Sequence, residues 1–311
     1  ANLGLVLREG GAEVHLTGCN PLSTQDDVAA AVADSGVATY GVHGVSMEEY
    51  ENLLVETLKC RPHLIVDDGG DLVNLLGGKC AQYGDRLIGG CEETTTGIHR
   101  LYARQREGIL PCPMMAVNDA KAKHYYDNKY GTGQSTWDAI MHTTNLIVAG
   151  KTVVVAGYGW CGKGIAMRAK GMGANVVVCE VDPFKALDAT MENFRVMSMD
   201  EAAKIGDIFV TATGCKDVIV RRHFEVMKNN AVLCNSGHFD CEVDVAALRT
   251  MAAETFPRRQ NIEGFKLPDG RTLNVLAEGR LVNLAGGNGH PAEIMDMSFA
   301  VQALSLEWLA K

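Results

Sequence analysis

Apolar and polar positions along the chain fall into blocks of two kinds. Short runs such as Ala12-Glu13-Val14-His15-Leu16-Thr17 and His63-Leu64-Ile65-Val66-Asp67 read as strands, the second ending at Asp68-Gly69-Gly70-Asp71. Between them, Thr24 to Ala33 reads as a helix with a Thr or Ser at its start. A long helical stretch from about Asp119 to Val148 is interrupted near Gly131-Thr132-Gly133. A second series begins at Lys151 with Thr152-Val153-Val154-Val155-Ala156, a continuous apolar run expected of a strand buried on both faces. Asn175 to Cys179, Ile208 to Gly214 and Ala231 to His238 continue it. Strand–helix alternation of this kind predicts an α/β fold of two doubly wound parallel-sheet domains. The expected division is residues 1–130, 131–288 and 289–311, the middle part a domain inserted into the first and the last a helix returning to it.

The apolar strand at Thr152 runs directly into Gly157-Tyr158-Gly159-Trp160-Cys161-Gly162-Lys163-Gly164. In such a turn the first glycine permits the tight bend, the second admits a pyrophosphate, and the third lets helix and strand pack. The helix that follows offers its N-terminal N–H groups to phosphate. Glu180 ends the next strand about 20 residues on, where a carboxylate accepts both ribose hydroxyls and repels a 2′-phosphate, so NAD is expected rather than NADP. Lys163 inside the turn reads as solvated rather than catalytic. Thr213, Ser236, Gly237 and His238 lie at strand ends and are expected to line the same crevice, Thr213 having a helix cap as its plainer reading.

Composition narrows the function classes. The 311 residues carry Lys+Arg 29 against Asp+Glu 38, a net charge of −9, which gives no basic excess for tracking nucleic-acid phosphates. The ten cysteines form no Cys-x-x-Cys pair, which argues against a zinc site and for reduced thiols in a cytoplasmic protein. No calcium-loop spacing or paired histidines suggest another metal. No apolar run reaches the ~18–20 residues of a membrane span, and no secretion signal opens the chain. The first residues, Ala1 to Glu9, read as the middle of a helix and the last, Val301 to Lys311, end without a stop signal, so both ends look like cut edges.

Polar clusters outside the glycine turn are weak signals one by one. Asp67-Asp68-Gly69-Gly70-Asp71 reads as a turn, and Cys91-Glu92-Glu93-Thr94-Thr95-Thr96-Gly97 as a helix N-terminus. Lys123 and Asp127 are spaced to share a helix face, their plainer reading being a surface ion pair.

In combination and in order, they resemble the S-adenosylhomocysteine hydrolase family over essentially the whole chain. The resemblance rests on Asn20-Pro21-Leu22-Ser23-Thr24-Gln25-Asp26-Asp27, Asp67 to Leu72, Glu92 to Gly97, Asn118-Asp119, Lys123, Asp127-Asn128, the turn at Gly157, Gly237-His238-Phe239-Asp240, Ala277 to Leu284, and Gly289-His290-Pro291. It implies reversible hydrolysis of S-adenosylhomocysteine to adenosine and homocysteine, a step of the methyl cycle. The route is oxidation of the ribose 3′-carbon by bound NAD+, elimination of homocysteine, addition of water and re-reduction. It also implies a homotetramer whose two domains close on the ligand, with hinges near Gly131 and at Gly286-Gly287-Asn288.

The same resemblance distributes the roles. Lys123 and Asp127 hold and deprotonate the 3′-hydroxyl, Asp68 serves C4′ and C5′, His238 relays a proton toward sulfur or water, and Glu93 contacts the ribose hydroxyls. Asn118 and His290 line the substrate pocket. Thr94, Thr95, Thr96, Asn128, Ser236, Gly237 and Asn283 join Gly157, Gly159, Trp160, Cys161, Gly162, Lys163, Gly164, Glu180, Lys185 and Thr213 at the cofactor. The family's preceding His-x-Thr segment and its C-terminal tail are absent from this sequence. Thr132 where many members have Cys, Trp160-Cys161 and Glu293 resemble a bacterial and archaeal branch, some of whose members prefer S-inosylhomocysteine. The alternatives are therefore that substrate, a non-catalytic NAD- and nucleoside-binding relative, and a 2-hydroxy-acid dehydrogenase sharing the glycine turn.

Overall fold

The computed structural model describes residues 1–311 and divides into two compact units, Ala1–Lys123 with Asp296–Lys311, and His124–Met295. The divisions lie a few residues outside both sequence-based boundaries, and the terminal helix Ala292–Ala310 contributes its larger part to the first unit.

The first unit holds a parallel pair, β1 (His15–Leu16) with β2 (Ala38–Thr39), and a three-stranded parallel sheet, β3 (Leu64–Asp67), β4 (Gly89–Glu92) and β5 (Met114–Met115), in that order. One face of that sheet packs Ile65 against Leu54, Leu58, Val73, Ile98 and Leu101. The other face is smaller and gathers Cys91, Leu64 and Val66 with Val117 and Leu306. The expected strand at residues 12–17 shrinks to two paired residues, and the expected helix from Thr24 begins at Asp26 behind Gln25.

The second unit is built on β6 (Thr152–Ala156), β7 (Asn175–Cys179), β8 (Arg195–Val196), β9 (Ile208–Thr211), β10 (Val232–Asn235), β11 (Glu254–Arg259), β12 (Ile262–Lys266) and β13 (Thr272–Leu276). Their order is β11-β12-β13-β10-β9-β6-β7-β8. Six strands, β8-β7-β6-β9-β10-β13, are parallel and follow the doubly wound dinucleotide-binding order. Successive β6 side chains enter opposite cores: Val153 and Val155 one layer, Val154 the other, all fully buried. The sheet is not parallel throughout: β11 and β12 form an antiparallel hairpin that extends it beyond β13. Pro257 sits in β11, the outermost strand and beside a register shift, where a residue without an N–H donor is tolerated.

The expected break near Gly131 is a change of winding rather than an interruption. His124–Gly131 is coiled as a wide π turn and Thr132–Thr144 as an α-helix. Two close approaches fix this segment. A Cβ on Gly131 would lie 2.4 Å from the His290 ring, and one on Gly164 1.7 Å from the Lys129 carbonyl oxygen. Gly164 is therefore demanded by helix packing. No helix is long and apolar enough to cross a membrane.

Candidate functional site

In the first unit, β3 and β4 end side by side, with Asp67 opposite Glu92 in register. Both carboxyl groups are buried. Asp67 accepts hydrogen bonds from the backbone N–H groups of Val73 (2.9 Å) and Asp68 (3.1 Å). Glu92 Oε1 accepts from Gly69 N–H and Thr94 N–H, each 2.9 Å. Glu92 thus ties the loop carrying Asp68 to the loop carrying Glu93 and Thr94. Burial pushes the Glu92 carboxyl up to about 8, helped by the charge of Asp67. Burial likewise raises Asp67 to about 6, against the pull of its backbone donors.

Lys123 is 3% exposed and Asn118 5%. The Lys123 ammonium donates to Asn118 Oδ1 at 3.2 Å and pairs with Glu93 Oε1 at 3.3 Å. Asn118 Nδ2 in turn donates to Thr95 Oγ1 at 3.0 Å, and Gln302 donates to the other Glu93 oxygen. Lys123 is no surface lysine: its amine sits in a dry, polar nest held by three elements of the unit.

In the second unit, Asp127 is 5% exposed and its Oδ1 lies 3.2 Å from His290 Nε2. Thr132 Oγ1 approaches the same nitrogen at 3.1 Å. Ser135 Oγ and Asn283 Nδ2 lie 3.3 and 3.4 Å from His290 Nδ1. The network assigns the proton to Nε2, donating to Asp127, with Nδ1 accepting. Asn128 and Ser236 are buried, and Ser236 is hydrogen-bonded to Thr136 at 2.6 Å. His238 stands edge-on to Phe239, ring centroids 4.8 Å apart.

The glycine turn separates into packing and approach. Gly157 has φ +93°, open to glycine, and a Cβ there would lie 2.6 Å from the Ala212 carbonyl oxygen. A Cβ on Gly162 would lie 1.9 Å from the Gly157 oxygen, whereas one on Gly159 meets nothing within 4 Å. The middle glycine thus faces open space in front of the N-terminus of the helix Trp160–Gly171, which suits a pyrophosphate. Glu180 is held by the N–H groups of Tyr158 (2.7 Å), Val181 (2.7 Å) and Asp182 (3.0 Å) at the end of β7. Asn283 Oδ1 is a buried acceptor without a donor, as a site for an amide-bearing ligand requires. These residues fit NAD.

Residues 128–289 match the family model described as S-adenosyl-L-homocysteine hydrolase, NAD binding domain, and residues 3–83 match the S-adenosyl-L-homocysteine hydrolase model. An adenosylhomocysteinase of Pyrococcus abyssi is 56% identical over 99% of the chain and 73% of its own length. The chain belongs to the S-adenosyl-L-homocysteine hydrolase family. An S-inosyl-L-homocysteine hydrolase of Methanocaldococcus jannaschii is 55% identical over 100% of the chain and 75% of its own length. Among solved structures, a dipicolinate synthase from Bacillus halodurans superposes with a TM-score of 0.56 over 100% of this chain and 94% of its own, at 11% identity, a likeness of fold alone. As in the family, residues 128–289 form an NAD-binding domain of Rossmann type, and NAD is the cofactor.

Several expectations change at the level of single residues. Lys163 is not merely solvated: it pairs with Asp188 and lies over the Tyr158 and Trp160 rings. Trp160 also meets His124 and Tyr125, and Cys161 donates to Thr132 Oγ1 at 3.7 Å. Thr213 caps no helix; its N–H and hydroxyl donate to Glu242. Lys185, half exposed, has only Asp182 within ion-pair reach, at 3.8 Å. Thr94 and Thr95 do open a helix, Thr95–Glu107, and Thr96 Oγ1 is a buried hydroxyl without a partner. Sequence reasoning gave no role to Glu92, Gln302, Asn235 or Glu242. Gln302 had a signal: Ser298, Gln302 and Ser305 repeat at helical spacing within the apolar terminal helix, and all three are buried.

Proposed function

We propose that the protein hydrolyses S-adenosyl-L-homocysteine to adenosine and L-homocysteine. The observation that carries this reading is the buried Lys123 amine held between Asn118 and Glu93, a proton-handling group unnecessary for cofactor binding alone. Bound NAD+ supplies reversible oxidation at the ribose 3′-carbon. The chain's own residues bind and move protons. Lys123 Nζ takes the proton of the 3′-hydroxyl once its ammonium has given up a proton, which its burial favours, and Glu93 accepts from the ribose hydroxyls. Asp127, oriented by His290, assists at the 3′-hydroxyl. Asp68 serves as base at C4′, whose proton is acidified while C3′ is a ketone, and His238 carries a proton to the departing sulfur and from the incoming water. Because the oxidation is reversed within each turnover, the reaction is a hydrolysis and not a dehydrogenation.

A second reading, S-inosyl-L-homocysteine as substrate, is supported by relatives of that name at 55 and 56% identity. The remaining parts of the proposal are a substrate-binding role for the first unit, a homotetramer, and a cytoplasmic setting. The apolar face of Val181, Phe184 and Met191, 99, 83 and 72% exposed, supports self-association. Ten free thiols suit a reducing compartment.

The test is thiol release by the NAD+-loaded chain given each thioether separately. Release without net NADH supports the hydrolase, and the faster substrate identifies the purine. Accumulating NADH, or bound NAD with no thiol from either substrate, overturns it. A second expectation concerns Glu180. Glu180→Gln keeps an acceptor for the Val181 and Asp182 N–H groups, gives up the one for Tyr158 N–H, and removes the charge that repels a 2′-phosphate. NADP affinity relative to NAD is expected to rise about tenfold, the worth of one partly solvated charge contact. Unchanged NAD and NADP dissociation constants would remove Glu180 from cofactor selection.

A further inference from the structure

The loop carrying His238 rests on a buried polar lattice to which the family reading gives no part. Glu242 is completely buried. Its backbone is anchored by Val218 and Ile219, whose N–H groups both donate to its carbonyl oxygen at 2.9 Å. Its carboxylate turns back beneath the strand ends. Oε2 accepts from Thr213 N–H at 2.9 Å and from the Thr213 hydroxyl at 2.6 Å, and Oε1 accepts from Gly214 N–H at 2.7 Å.

The same carboxylate lies directly against Gly237. A Cβ at that position would come 1.8 Å from Glu242 Oε1. Gly237 is thus required by the neighbouring glutamate and not by an unusual backbone angle, since it is not among the positive-φ residues. Asn235 completes the clamp. Its Oδ1 accepts from Gly237 N–H (2.7 Å) and the Thr211 hydroxyl (3.0 Å), while its Nδ2 donates to the carbonyls of Gly237 (3.0 Å) and Phe239 (2.9 Å). Both backbone neighbours of His238 are therefore fixed, and the turn at Thr213 is fixed to the same carboxylate.

We infer that Glu242 is a positioning residue, which with Asn235 sets His238 and the Thr213–Gly214 turn for catalysis and for NAD. A buried carboxylate carries a desolvation cost that an apolar side chain would avoid. That cost is offset here by three short donor contacts, all from Thr213 and Gly214, while the same carboxylate packs against Gly237 beside His238. Burial also pushes the Glu242 carboxyl upward, against those donors. This inference rests on the proposed role of His238 for its effect on turnover; its effect on NAD binding does not.

The experiment compares Glu242→Ala, Glu242→Gln and Gly237→Ala, and the double variant Glu242→Ala/Gly237→Ala, in the full chain. For Glu242→Ala, kcat is expected to fall ~10²-fold, the cost of an ångström-scale displacement of a reacting group. KM is expected to stay within about twofold and the NAD dissociation constant to rise about tenfold. Glu242→Gln keeps an acceptor for Gly214 N–H and restores most of both. Gly237→Ala is harmful in the parent and much less so beside Glu242→Ala, because the clashing carboxylate is gone.

A merely structural role is shown by lower Tm with kcat and NAD affinity per folded protomer unchanged, and that result overturns the inference. Equal Gly237→Ala losses in both backgrounds overturn it as well. If Glu242→Ala does not fold, the comparison of Glu242→Gln with Gly237→Ala by NAD titration decides. Failure of the hydrolase reading appears separately, as absence of thiol release by the parent chain. NAD titration of the four variants then still decides the positioning role.

Discussion

Replacing Lys123 by methionine is expected to lower kcat about 10³-fold while NAD remains bound, the range for loss of a positioned acid–base group. Methionine keeps the length and apolar stem of lysine but has no proton to exchange. The amine it removes is buried and has Glu93 Oε1 at 3.3 Å and Asn118 Oδ1 at 3.2 Å as partners. The substitution therefore also takes the Lys123 cation from the part-buried Glu93 carboxylate, and some stability is lost with activity. Lys123→Arg separates the two effects. Arginine keeps the charge opposite Glu93 but does not give up its proton in a protein. If Lys123 moves the 3′-hydroxyl proton, Lys123→Arg is as slow as Lys123→Met although better folded. Recovery of kcat to within tenfold of the parent by Lys123→Arg would limit Lys123 to charge placement. The readouts are kcat and KM for thiol release, with Tm recorded beside them.

The parts of this molecule legible in its sequence are those whose physics is local. Val153 to Val155 are three apolar residues in succession because β6 is buried on both faces. Gly157, Gly159 and Gly162 follow at fixed offsets because turn, approach and packing are set within one strand–turn–helix unit. Glu180 ends the neighbouring parallel strand and is placed by the sheet order alone.

What escaped reading depends on distant contacts. The hairpin β11–β12 shows no period-two pattern in β11, which is largely exposed and contains Pro257. The π winding of His124–Gly131 is a shift of backbone hydrogen bonds that residue propensity does not encode; it is stabilised where Gly164 meets Lys129 and where Gly131 meets His290. Lys163 looked solvated because Asp188, its partner, lies on the next helix. Glu92 and Glu242 are the clearest case. The holding role of each appears only on folding, which brings the Gly69 loop to Glu92 and sets Glu242 under the Thr213–Gly214 turn and against Gly237. The residues proposed to touch substrate were readable as motifs; the holding roles of Glu92 and Glu242 were not.

The second large expectation follows from Glu92. Its carboxyl is raised from 4.5 to about 8, and that of Asp67 from 3.8 to about 6. In both cases the folded state holds its proton more tightly than the unfolded chain. Between about pH 4.5 and pH 8 the native protein therefore binds more protons, and stability falls as pH rises through that window. The stabilisation is fully present below the unfolded-state values and is lost on passing the raised ones. Glu92→Gln removes the larger contribution. Its amide oxygen keeps the acceptor for Gly69 and Thr94 N–H, and its NH2 takes the place of Oε2, a buried oxygen without a partner. At pH 8 the variant is expected to be the more stable protein by several kcal/mol, at about 1.4 kcal/mol per pK unit. Near pH 4.5 the two should converge. Because the chain has two units, the measurement is hydrogen exchange of peptides covering residues 64–76 and 89–97 at a series of pH values, corrected for intrinsic exchange, rather than one melting temperature. Parallel opening free energies for parent and variant across that range would sink the assignment. It would mean that Glu92 is ionised throughout and that the two N–H donors outweigh its burial.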